Sequence, residues 1–196
     1  MLLEKSIYYF VIPESESEIY DTNKVKDPNI TKYRRVIDRN NHYVSFKMKE
    51  YFTRLGQKIY YNQYGKPMIN DGNFNISHDG SMVVGMECRH KDVGIDVVEL
   101  NRDVGVHMFQ GIFCKDEEHT LQVFSMKEAI VKMMGTGLST ELNRIYITKN
   151  KEVYLDGKQV DCTLQTIVFG DYFIAVVVKG MKIYKLNLVP FILTLT

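Results

Sequence analysis

Two rhythms of apolar residues alternate along this chain. Residues 7–12 are β-branched or aromatic and predict a first strand. Val44, Met48, Tyr51, Phe52 and Leu55 recur every three or four positions. That is the stripe of an amphipathic helix over 44–55, ending near Gly56. Residues 60–64 read as a strand, and Gly65-Lys66-Pro67 as a turn. Residues 74–77 and 82–88 are strands around Asp79-Gly80, a hairpin signal, and 93–98 is another strand. A second helix is predicted over 117–134, halted by Gly135 and Gly137. The remainder reads as strands at 144–148, 152–155, 163–169, 172–178 and 182–189, with Gly170-Asp171 as a tight turn. This order predicts an α+β protein and permits two related halves, each with strands and one main helix, packed face to face with a cleft between them.

Composition narrows the function classes. The 196 residues, 45% hydrophobic and 25% charged, exclude a disordered chain and suffice for a large core without disulfide or metal staples. A formal net charge of +1 argues against global attraction to nucleic acid or an anionic membrane. The longest apolar runs, 166–178 and 186–195, are broken by Asp171 and Pro190 and fall short of the ~20 residues that span a bilayer. Glu4 and the lack of a small-residue cleavage site argue against a signal peptide. Cys88, Cys114 and Cys162 are too scattered for a disulfide framework and suggest reduced thiols and a cytoplasmic protein. An acidic loop (Glu14, Glu16, Glu18, Asp21) precedes a basic stretch, 24–39, with Lys24, Lys26, Lys32, Arg34, Arg35 and Arg39. That stretch is either a solvated face or an anion site.

A few polar residues fall where packing alone would not put them. Asp96 interrupts an apolar strand, so it either caps a strand end or has a partner, because an unpaired buried charge is very costly. Glu128 and Lys132 stand four apart, the spacing of a helical ion pair. Glu128 also shares a stripe with Leu121 and Phe124, which points it toward a cleft rather than open surface. Asp96 and Glu128 together suit one Mg²⁺, which favours oxygen ligands and keeps several waters. Lys132, Lys66 and His78 would then offer contacts to phosphate; His78 alone reads equally as a structural histidine. The histidines lack zinc-ligand spacing, and no serine-hydrolase, P-loop or dinucleotide fingerprint is present.

Four segments in order carry a resemblance: Gly65-Lys66-Pro67; Phe74-Asn75-Ile76-Ser77-His78-Asp79; Val93-Gly94-Ile95-Asp96; and Phe124 through Lys132, running into Gly135-Thr136-Gly137-Leu138. They resemble the 4'-phosphopantetheinyl transferase family in its Sfp-like, single-chain branch. The resemblance implies two pseudo-symmetric α+β halves in a monomer, 1–92 and 93–196, each a small antiparallel sheet with a main helix, with coenzyme A in the cleft. It implies transfer of the phosphopantetheine arm to a serine of an apo acyl or peptidyl carrier protein, with release of 3',5'-ADP. Asp96 and Glu128 would hold Mg²⁺, or Mn²⁺ in its place. Glu128 and Lys132 would be catalytic. Lys66, Ser77 and His78 would grip the nucleotide 3'-phosphate, with Lys32, Arg34, Arg35 or Arg39 closing the other side.

The chain departs from the family pattern in three places. Val98 stands where many relatives carry a third acid, and Glu99, one residue on, falls on the opposite strand face. Phe124 replaces the usual Trp. Val44 precedes Ser45 where an arginine is usual, leaving Arg39 to compensate. Residues 100–126, including Val104, Met108, Phe109, Ile112, Phe113 and Lys115, fit a carrier-docking surface by position, and core packing accounts for about half of them. The competing readings are a catalytically degenerate module that binds coenzyme A or a carrier protein, and an unrelated metal-dependent hydrolase of a nucleotide diphosphate.

Overall fold

The computed structural model describes residues 2–13, 17–21, 27, 29–53, 58–70, 72–89, 91–103, 111–114 and 120–193. Its elements run β1 (Leu2–Val11), α1 (Val36–Thr53), β2 (Tyr60–Tyr61), β3 (Pro67–Met68), β4 (Asn73–Asp79), β5 (Met82–Cys88), β6 (Val93–Glu99), α2 (Leu121–Met134), β7 (Ile145–Ile147), β8 (Val153–Leu155), β9 (Lys158–Gln159), β10 (Cys162–Phe169), β11 (Tyr172–Lys179) and β12 (Lys182–Pro190). The mixed α+β class and most strand positions agree with the sequence pattern. None of the helices among the described residues is long and apolar enough to cross a membrane. None of the three cysteines is joined in a disulfide.

Two sheets carry the fold. The first has the order β12-β1-β5-β4 and the second β10-β11-β6; β2-β3 and β7-β8-β9 are small additions. All pairings are antiparallel except β1 with β12. The last strand thus returns to the first sheet.

Strand alternation sorts the apolar side chains into separate layers. Met82, Val84 and Met86 of β5 meet Val93, Ile95 and Val97 of β6 and Ile174, Val176 and Val178 of β11 between the sheets. Val83 of β5 and Phe74 of β4 turn the other way and pack with Val44, Met48 and Phe52 of α1. Val98 of β6 and Phe173, Ala175 and Val177 of β11 pack under Ala129, Ile130 and Met133 of α2. Each helix therefore covers the outer face of one sheet.

The first helix begins at Val36, two turns before the apolar stripe starts. Those turns are buried through polar side chains. Asn40 accepts from the Ile19 N–H (3.1 Å) and donates to the Ser17 carbonyl (3.2 Å), and Asn41 donates to the Gly80 carbonyl (3.0 Å). The predicted start of the second helix at 117 lies outside the described residues. From Thr120, whose hydroxyl accepts from the Val123 N–H (3.3 Å), the helix runs to Gly135, which takes φ +70 and closes it. The hairpin turn expected at Asp79-Gly80 is shifted by one residue, because Asp79 pairs with Met82 and leaves Gly80 and Ser81 as the turn.

One glycine sets how closely α2 approaches the second sheet. A Cβ on Gly94 would lie 1.9 Å from the Ala129 carbonyl oxygen and 2.4 Å from the Met133 nitrogen, both backbone atoms that cannot yield. Gly94→Ala must lift α2 off β6. The expected loss is about 3 kcal/mol of stability, read as a lower urea midpoint.

Candidate active site

β4 and β6 lie side by side as edge strands of different sheets, and side chains join them. Asn73, Asn75, Ser77 and Asp79 alternate along β4 and so point the same way. Asn73 donates to the Lys91 carbonyl (3.3 Å) and Asp92 Oδ1 (3.2 Å). Asn75 Oδ1 accepts from the Ile95 N–H at 2.9 Å. Ser77 Oγ donates to Asp96 Oδ1 at 2.8 Å. Asp79 Oδ2 accepts from the Glu99 N–H at 2.9 Å. This period-two polar face is a sequence signal in its own right, although only Ser77 and its neighbour His78 stand out on motif grounds.

Asp96 is buried on the face of β6 that meets α2. Its Oδ1 receives both the Ser77 hydroxyl and the Lys132 ammonium, the latter at 2.5 Å, and Lys132 Nζ also reaches Ser77 Oγ at 2.9 Å. The lysine thus compensates the buried carboxylate. One turn earlier on α2, Glu128 is half-buried. Desolvation raises its pKa above the ordinary value; Lys132 pulls it down and the Asp96 charge pushes it up again. Asp96, Ser77, Glu128 and Lys132 therefore form one electrostatic unit. Val98 is buried under α2 on the same strand face, and Glu99 lies on the other.

Across β4, His78 lines a polar pocket of about 380 Å³ with Arg35, Asp38, Asn41, Asp79, Glu99 and Arg102. The surrounding protein lowers the His78 pKa, and the Lys132 charge adds to that effect. Both arginines are paired: Arg35 holds Asp38 through two bonds of 2.8 Å, and Arg102 Nη1 holds Asp79 Oδ1 at 2.8 Å. Asn41, Glu99 and Arg102 were not among the residues expected here to contact nucleotide.

The other expected cations sit elsewhere. Arg39 binds Glu18 Oε1 at 2.9 and 2.7 Å and the carbonyls of Tyr33 and Arg34. Lys32 is exposed and donates to Asn29 Oδ1 at 2.6 Å, and Arg34 is exposed. Lys24 and Lys26 lie outside the described residues. Val44 is in the core and cannot stand in for a ligand-facing arginine. Lys66 is buried and donates to the Met133 carbonyl at the end of α2, at 2.8 Å, rather than joining His78.

Of the segment proposed for carrier docking, Val104, Met108, Phe109 and Lys115 fall outside the described residues. Ile112 and Phe113 are tied to the fully buried Lys127. Its Nζ donates to the Ile112 carbonyl at 3.0 Å and lies 5.6 Å from the Phe113 ring centre. This anchors Ile112 and Phe113 on α2, beside Glu128.

As for cofactors, no group of three or more metal-ligating side chains occurs among the described residues. Two carboxylates remain a fitting donor set for a hard cation that keeps its own waters. Burial is the main cause of the raised Glu128 pKa, and the Asp96 charge adds a smaller push in the same direction.

Comparison with known proteins points to one family. A family model described as the 4'-phosphopantetheinyl transferase superfamily matches residues 92–177. The 4'-phosphopantetheinyl transferase gsp of Aneurinibacillus migulanus is 28% identical over 53% of this chain and 50% of its own length. The transferase ffp of Bacillus subtilis is 27% identical over 53% of this chain and 54% of its own. The transferase Sfp of Bacillus subtilis strain 168 is 28% identical over 46% of each chain. The chain spans about half the length of the curated relatives it matches. Residues 92–177, the stretch that holds Asp96, Glu128 and Lys132, are thus similar to the 4'-phosphopantetheinyl transferase superfamily.

Proposed function

We propose that this protein transfers the 4'-phosphopantetheine arm of coenzyme A to a serine of an apo acyl or peptidyl carrier protein, releasing 3',5'-ADP, with Mg²⁺ required. The observation that carries the reading is the Asp96–Ser77–Lys132 cluster with Glu128 beside it, within the segment that matches the superfamily.

Asp96 and Glu128 would hold the cation, with no third protein carboxylate, since Val98 is apolar and Glu99 lies on the other face. When bound, Mg²⁺ supplies positive charge against the pyrophosphate oxygens. Glu128 takes the proton of the attacking serine hydroxyl, directly or through one water; a carboxylate with a raised pKa is the better base. The serine oxygen forms the new bond to the phosphorus bearing the pantetheine arm. The phosphoanhydride bond to ADP breaks and the electron pair leaves with ADP. Lys132 neutralises charge on the phosphate oxygens as that bond opens. His78, at its pocket wall beyond Ser77, would contact the nucleotide phosphates in this reading, and Arg35 would join it by exchanging Asp38 for phosphate. One chain supplies all these groups, so the working form in this reading is a monomer, and the three scattered cysteines suit a cytoplasmic protein.

The test is intact-mass spectrometry of apo carrier proteins of several classes after incubation with the protein, coenzyme A and Mg²⁺. One added phosphopantetheine arm is expected. It should be lost with EDTA and slowed at least about a hundredfold by Glu128→Ala or Lys132→Ala. Coenzyme A binding without any mass gain would leave a degenerate binding module. Release of coenzyme A fragments without modified carrier would leave a hydrolase.

The raised Glu128 pKa also fixes a stability trend. The folded carboxyl holds its proton more tightly than the unfolded one, so between pH 4.5 and the raised value the native state carries more protons. Stability of the metal-free protein therefore falls as pH rises through that window. Glu128→Gln removes this term. In EDTA its urea midpoint is expected to exceed that of the parent at pH 7, with the difference vanishing below pH 4.5.

A further inference from the structure

The last carbonyls of a helix have no partner within it. At the end of α2 two of them are satisfied from a turn far back in the sequence. Lys66 Nζ donates to the Met133 carbonyl at 2.8 Å, and Asn62 Nδ2 donates to the Gly135 carbonyl at 2.7 Å. The turn is itself rigid: Asn62 Oδ1 accepts from the N–H groups of Tyr64 and Lys66, both at 2.9 Å. The fit leaves no slack. A Cβ on Gly135 would stand 2.8 Å from Lys66 Cδ and 2.9 Å from Asn62 Nδ2. The Lys66 side chain is 7% exposed, with Asp92 Oδ1 3.8 Å from its ammonium. A cation at a helix C-terminus also opposes the negative end of the helix dipole.

The residue before Met133 is Lys132, whose ammonium must reach Asp96 and Ser77. We propose that Lys66, with Asn62, is a positioning residue that fixes the last turn of α2 and so seats Lys132, and that Lys66 does not contact the nucleotide phosphate. This assignment rests on the transferase reading above. It replaces a ligand contact by a strap between the chain's two helix-bearing halves.

The experiment compares coenzyme A with 3'-dephospho-coenzyme A as donors for the parent, Lys66→Met and Asn62→Ala. A misplaced catalytic group costs rate, so kcat is expected to fall about ten- to a hundredfold with both donors in both variants. The parent's preference for one donor over the other should be unchanged. The proposal is overturned if Lys66→Met raises KM for coenzyme A while leaving that for 3'-dephospho-coenzyme A alone, as loss of a phosphate contact would. It is equally overturned if neither variant alters kcat. Amide hydrogen exchange over residues 131–135 gives a second readout that needs no turnover. Faster exchange in either folded variant supports the strap, and unchanged exchange in both overturns it. Should the parent transfer nothing, the transferase reading fails, and the exchange arm still decides the strap.

Discussion

The structure turns on a seam between two strand edges that share no backbone ladder. β4 ends one sheet and β6 ends another, and an unpaired edge carries N–H and C=O groups that need partners. Here three side chains of β4 supply them, with Asn75 and Asp79 accepting from the β6 backbone and Asn73 donating toward residues 91 and 92. Ser77 is the exception: it spends its hydroxyl on the Asp96 carboxylate. That carboxylate is thereby held at a fixed place between two sheets and under a helix. Everything the site can do follows from where the seam puts it.

The helix then has to come down far enough. Gly94, two residues before Asp96 on the same strand face, has no side chain to hold α2 away. Lys132 and Glu128 arrive over the carboxylate as neighbouring turns of one helical face. The first half solves its own packing in a related way. A Cβ on Gly85 of β5 would meet the Phe52 ring of α1 at 2.8 Å. A flexible ring can yield where the α2 backbone cannot, so the two close contacts are not equally demanding.

Much of this was legible in the residues. Apolar periodicity located most strands and both helices, because burial imposes it. Asp96, Glu128 and Lys132 were singled out because charge on an apolar face needs a partner, and they do meet. The first two turns of α1 were missed because Asn40 and Asn41 are buried by hydrogen bonding, which leaves no apolar stripe. The cations of the N-terminal half were harder. Residue type marks Arg39 and Lys66 as candidate anion ligands but does not reveal that Arg39 bonds Glu18 and Lys66 bonds the end of α2, partners 21 and 67 positions away in sequence. Spacing carries no trace of such long-range partners.

The pairing of β1 with β12 has a mechanical side. These are the first and last strands, they run parallel, and Leu2 stands opposite Lys182 while Tyr9 stands opposite Pro190. Tension that draws the start of β1 and the end of β12 apart pulls the two strands in opposite directions along their shared ladder. Every hydrogen bond between them is then loaded at once, in shear, instead of being peeled open one after another. Under such a pull the first sheet yields only when the whole ladder slips, so the rate of forced opening is set by that single cooperative event.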